Sequence, residues 1–131
     1  MQENPGGNQT KLFNITTEKI LTDHFKKCLP GCNIIAEETG ETSQNGNSDF
    51  TLVIDPVDGS FNFARGIKDV GCSIAVVEGK ELNLRNVKIG LVGNLMIGDI
   101  FKTQKEQGAY LNSKRIFTLF YRGYFRSRLH H

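Results

Sequence analysis

The sequence predicts an α+β fold in which a largely antiparallel sheet is flanked by a helix. Three features carry that prediction. Apolar side chains recur at helical spacing over residues 16–29, two short β-rich apolar runs follow over 33–36 and 49–55, and further such runs alternate with glycine-bearing turns over 71–116. At 131 residues the chain has room for one domain with a real core.

The opening "NPGGNQTK" is rich in glycine and asparagine and reads as a loop. In the next stretch Ile20, Leu21, Phe25, Cys28 and Leu29 form an apolar stripe, with polar Glu18, Lys19, Asp23, Lys26 and Lys27 between them, as in an amphipathic helix. Pro30 and Gly31 stop it. "NIIA" is then a short buried strand that delivers Glu37 and Glu38 at its end. "TGETSQNGNS" reads as a polar surface loop, and "DFTLVID" as an interior strand ending on Asp55. Downstream, the turn residues of "EGKE", "MIGD" and "KEQGAY" separate strands that are expected to pair antiparallel. The closing "FTLFYRGYFRSRLHH" alternates aromatic and basic residues and suits a helix and a strand equally.

With 38% hydrophobic and 23% charged residues, the composition is that of a soluble globular chain. No apolar run reaches the roughly 20 residues of a membrane-spanning helix, so no membrane is expected as a partner. The amino terminus lacks the basic-then-apolar pattern of a secretory signal, which makes a cytoplasmic location the expectation. Cys28, Cys32 and Cys72 show no zinc-ligand spacing and are expected as reduced thiols. The net charge of +2 comes from the end of the chain: residues 114–131 hold five basic side chains and no acid. A short terminal run of this kind reads as a solvated end, and no nucleic acid is expected.

Chemistry concentrates in "LVIDPVDGSFNF" and the acids that precede it. If the strands before Glu37 and Asp55 are neighbours in one sheet, their carboxylates converge on one rim. Glu37, Asp55 and Asp58 then offer the oxygen donors that magnesium prefers, and a divalent cation reverses their mutual repulsion. The turn at Gly59 leads into a helix whose first N–H groups lack intrahelical partners and suit a phosphate, and the Ser60 hydroxyl stands at the same point. Metal, water and anion cradle together describe phosphate-ester hydrolysis. Each part also has a plainer structural reading: Asp-Gly as an ordinary turn, Glu37 and Glu38 as a solvated pair, Ser60 as a helix cap.

"DPVDGSFNF" closely resembles the motif D-P-[ILV]-D-G-[TS]-x-N-[FY] of the inositol monophosphatase family, metal-dependent phosphomonoesterases that usually use magnesium. "IIAEETGE" is similar to the family's Glu-Glu motif and "QGAYLNSKRI" to its "GAYLNGKRI". The likeness runs from about residue 10 to residue 116 and is to the amino-terminal half only. The short loop between Glu37 and Asp55, with "QTK" ahead of the helix, resembles the archaeal members, which often hydrolyse both inositol monophosphates and fructose 1,6-bisphosphate.

The resemblance implies a layered α/β sugar-phosphatase-like fold and a magnesium cofactor. It implies Glu37 as a metal ligand, Asp55 as a carboxylate shared by two ions, the Val57 carbonyl as a ligand of the first ion and Asp58 as a ligand of the second. Asp58, Gly59 and Ser60 would hold the phosphate, with Ser60 in the usual place of threonine. Two departures stand out. Where the family has an aspartate four residues before Glu18, which with the threonine activates the attacking water, this chain has Asn14, and an amide is no proton acceptor. The family's second half, with a "WDxAAG"-type motif completing the second metal site, has no counterpart here. The expected organisation is thus a phosphatase-like domain over 1–116 and a tail without resemblance over 117–131. An apolar surface left open by the missing half would favour self-association. Two functions follow: a magnesium-dependent phosphatase of small sugar or polyol phosphates, or a remnant of one that keeps a metal and phosphate site.

Overall fold

The computed structural model describes residues 5–42, 49–79 and 81–118. Its first element is a helix, α1 (Pro5–Cys28), which begins well ahead of the expected residue 16. "PGGNQTK" is thus helical, not a loop. Proline at the first helical position loses no hydrogen bond, because that N–H has no intrahelical partner. The low propensity of the glycines and asparagine is offset by tertiary contact, since Phe13 stacks on Phe63 with ring centroids 4.0 Å apart. Past the end of α1, Gly31 at φ 86° turns the chain in the left-handed conformation that favours glycine.

The buried face of α1 also differs from the expected stripe. Leu21 and Phe25 pack on the core, but Ile20 is 65% exposed, Cys28 and Leu29 are exposed, and Glu18 is buried. Positions 14, 18, 21 and 25 share one face at helical spacing, so the inward stripe is mixed and admits an acid.

Among the described residues eight strands form one sheet: β1 (Asn33–Ala36), β2 (Gly40–Thr42), β3 (Phe50–Asp58), β4 (Gly71–Glu78), β5 (Val87–Asn94), β6 (Ile100–Gln104), β7 (Gly108–Leu111) and β8 (Lys114–Ile116). Their spatial order is β2-β1-β3-β4-β5-β6-β7-β8. β1 and β3 run parallel, and every other neighbouring pair is antiparallel, as expected of a largely antiparallel sheet. β2 lies inside the stretch expected to be loop. Gly40 at φ 75° closes a three-residue turn of Glu37, Glu38 and Thr39, so that Ala36 pairs with Gly40 in a β1–β2 hairpin.

β3 does not end on Asp55 but continues through buried Pro56 and Val57 to Asp58. Proline is tolerated because β1, the neighbour on one side, has already ended, and the register against β4 slips between Asp55 and Asp58. A short helix, α2 (Ser60–Ala64), follows.

The core lies between α1 and one face of the sheet: Cys32, Ile34, Ala36, Leu52 and Ile54, joined by Leu21, Phe25, Ile74 and Val76. Among the described residues, nothing packs over the opposite face. Registered residues Asp55, Ser73, Val92 and Phe101 lie in one row across it, and Val92 and Phe101 are 49% and 45% exposed. A largely apolar trough of about 400 Å³ runs along this face. No described helix is long and apolar enough to cross a membrane. Phe117 and Thr118 extend past β8, and the remainder of the expected tail lies outside the described residues.

Candidate metal and phosphate site

Parallel pairing of β1 with β3 aligns Ala36 with Ile54, and the Glu37 N–H donates to the Ile54 carbonyl at 3.2 Å. The next residues are Glu37, the first of the β1–β2 turn, and Asp55 of β3, side by side at one rim of the sheet. Their proximity is visible in the electrostatics. The Asp55 charge, then a hydrogen bond with the Asp55 carboxyl, then desolvation raise the Glu37 pKa above its ordinary value of 4.5, and Glu38 and Glu18 add to the effect. Asp55 Oδ1 is buried and has no hydrogen-bond partner among the described residues. An unpartnered buried carboxylate oxygen beside a second acid is a costly arrangement for the bare protein, and it is the donor set a hard cation takes.

Asp58 stands apart. It is exposed at the end of β3, beyond the slip in register. Among the described residues, no three acidic, histidine or cysteine side chains come together to hold one ion.

Gly59 joins β3 to α2 at φ 96°, and a Cβ there would lie 2.8 Å from the Asp69 carbonyl oxygen. Only glycine fits both constraints. The same carbonyl accepts from Asn62 Nδ2 at 2.8 Å, and the Ile67 N–H donates to the Asn62 carbonyl at 2.9 Å. Ser60, half-buried, opens α2 directly beyond this turn. The Phe13–Phe63 stack fixes α2 against α1, beside Asn14.

Asn14 takes part through its amide: Nδ2 donates to Glu38 Oε1 at 3.1 Å, while Oδ1 is buried without a partner among the described residues. Glu18, one turn further along α1, accepts from the backbone N–H groups of Glu38 and Thr39 and from the Thr39 hydroxyl. Sequence reasoning placed Glu18 on the solvated side of the helix and missed this role. Its spacing from Leu21 and Phe25 was the available signal.

The sequence model for the Inositol monophosphatase family matches residues 7–119. The chain is 36% identical over 117 residues to a fructose-1,6-bisphosphatase/inositol-1-monophosphatase of Methanothermobacter thermautotrophicus, covering 84% of this chain and 42% of that protein. It is 32% identical over 114 residues to a protein of the same description from Thermococcus kodakarensis, covering 86% and 41%. The chain thus spans about two-fifths of the length of these relatives. Among solved structures, an extragenic suppressor from Pyrococcus furiosus superposes with a TM-score of 0.71 at 29% identity, over 87% of this chain and 45% of the other. The hairpin that presents Glu37, the strand that presents Asp55 and the glycine turn into α2 are therefore those of a member of the inositol monophosphatase family, to which this chain belongs.

Proposed function

We propose that the chain is the amino-terminal, metal- and phosphate-binding part of a magnesium-dependent phosphomonoesterase acting on inositol monophosphate, fructose 1,6-bisphosphate or both. The observation that carries this reading is the Glu37–Asp55 pair with its buried, unpartnered Asp55 oxygen. Glu37, Asp55 and the Val57 carbonyl would hold one Mg2+, and Asp55 and Asp58 would serve a second. Bound magnesium supplies charge neutralisation and a more acidic water at neutral pH. The chain's own contribution is to hold these oxygens on one rim and to turn sharply at Gly59, so that the N–H groups at Gly59 and Ser60 and the Ser60 hydroxyl face the anion. The relatives' printed names support the substrate class. Residues 1–116 form the functional domain in this reading, 117–131 a tail outside it, and the protein works in the cytoplasm.

Phosphate release from inositol 1-phosphate and fructose 1,6-bisphosphate, with Mg2+ and with EDTA, tests the proposal. Equal release in EDTA sinks the metal mechanism.

Asn14 favours a second reading, a remnant that keeps the ion and phosphate site but turns over slowly or not at all. Its amide cannot take a proton from the attacking water, and a general base contributes on the order of 10²–10⁴-fold. Calorimetry separates the two: Mg2+ binding that disappears in Asp55→Asn, with no hydrolysis by the unmodified chain, supports the remnant. In either reading the open apolar face favours association, with a second copy or with a complementary chain.

A further inference from the structure

Glu18 is the most deeply buried acid of the described residues, at 1% exposed, on a helix whose neighbouring Lys19 and Ile20 face solvent. Burying a carboxylate is unfavourable unless its oxygens are hydrogen-bonded. Among the described residues, the side-chain hydrogen bonds of Glu18 go to one short stretch of chain. Oε2 accepts from the Glu38 N–H at 2.8 Å, and Oε1 accepts from the Thr39 N–H at 2.9 Å and from the Thr39 hydroxyl. Those residues directly follow Glu37 in the β1–β2 turn. From the other side, the Glu37 N–H is bound to the Ile54 carbonyl. The turn is thus gripped by α1 at one end and by β3 at the other.

The grip matters because Glu37 and Asp55 repel each other. β1 has only four residues, and the simplest relief would be for the turn to swing Glu37 outward. Neutral N–H and O–H donors held by Glu18 oppose that motion without placing a competing cation beside the pair. Asn14 adds a second tie from the same helix face, through Glu38 Oε1.

We propose that Glu18 is a positioning residue: by holding the Glu38 and Thr39 donors it keeps Glu37 against Asp55 and thereby sets the affinity of that pair for a divalent cation. The inference rests on the metal-binding reading above and goes beyond it, since Glu18 is not itself a ligand.

The test measures Mn2+ binding to the full chain by calorimetry and by the electron paramagnetic resonance of the free ion. Loss of a group that orients a metal ligand weakens binding by about 10–100-fold. Glu18→Gln should therefore weaken Mn2+ binding by roughly 10-fold or more. In a Glu37→Gln background, where the positioned ligand is already gone, the same change should alter binding by less than about 2-fold. Equal losses in both backgrounds, or no loss in the first, overturn the proposal. Should Glu18→Gln fail to fold, Thr39→Val removes only the hydroxyl donor from an exposed turn. It should weaken binding measurably, and unchanged affinity there also overturns the proposal. Absence of Mn2+ binding by the unmodified chain overturns the metal reading and this inference together; binding that is equal in Glu18→Gln overturns the inference alone.

Discussion

Glu37 lies against Asp55 one step beyond the last paired residues of β1 and β3, and its carboxyl holds its proton more tightly in the folded chain than its ordinary value of 4.5 implies. The folded state therefore binds more protons than the unfolded state in the window above that value. Stability falls as pH rises from about 4.5 through the raised pKa and levels off beyond it. Thermal denaturation in EDTA between about pH 4 and 8 should show this decline. Glu37→Gln should remove it and melt higher than the unmodified chain at neutral pH, while losing stabilisation by Mg2+. An unchanged pH profile in Glu37→Gln would show that the two acids do not interact.

Gly59→Ala meets two obstacles, a φ of 96° and the Asp69 carbonyl oxygen 2.8 Å from the new Cβ. Gly98, at φ 86°, has nothing within 4 Å of its Cβ position. Gly98→Ala should destabilise by about 1 kcal/mol from backbone strain alone, and Gly59→Ala by about 2–3 kcal/mol. Urea denaturation measures both, and equal losses would mean that the contact with Asp69 is relieved at no cost.

Asn14→Asp restores the family's acid but removes the donor to Glu38 and sets two carboxylates face to face. In EDTA the variant should lose about 1 kcal/mol or more of stability. Its hydrolytic gain, on the order of 10²-fold or more, should appear only with Mg2+ and with the complementary part of a full-length relative supplied in trans. A melting temperature unchanged in EDTA would contradict the Asn14–Glu38 bond.

Asn112 and Ser113, at φ 47° and 68°, form the two-residue turn that joins Leu111 to its partner Lys114. Both central residues of such a turn need positive φ. Ser113→Gly, which matches the family segment "GAYLNGKRI", should stabilise by about 0.5–1 kcal/mol. Loss of stability in this variant would show that the Ser113 side chain makes a contact that outweighs the strain.

Burial pushes the Cys32 and Cys72 thiols above their ordinary pKa, and the Asp55 charge adds to the effect at Cys72. Cys28 is exposed. Ellman's reagent at about pH 8 should label Cys28 rapidly and the other two only on unfolding. Rapid labelling of all three would contradict the packing of β1 and β4.

Much of the sheet was legible because a half-buried strand needs alternating or continuous apolar residues, which "NIIA", "DFTLVID" and "GCSIAVV" supply. Convergence of Glu37 and Asp55 followed from supposing the first two strands adjacent, and the parallel register bears that supposition out. β2 escaped notice because "GET" has no apolar pattern; its place is set by the Gly40 turn and by pairing with β1. The early start of α1 was hidden because its support is Phe63, distant in sequence. The inward position of Glu18 was hidden because an acid on a helix ordinarily faces water, and only the donors of Glu38 and Thr39 reverse that preference.

Asp55 shares its sheet row with Val92 and Phe101 on the face that no described element covers. Whatever settles over those side chains also dries the surroundings of the acid pair, lowering the local dielectric and strengthening the pull of the pair on a cation. Assembly and ion binding are then two legs of one thermodynamic cycle: each factor by which a covering chain tightens the ion is the factor by which the ion tightens the covering chain.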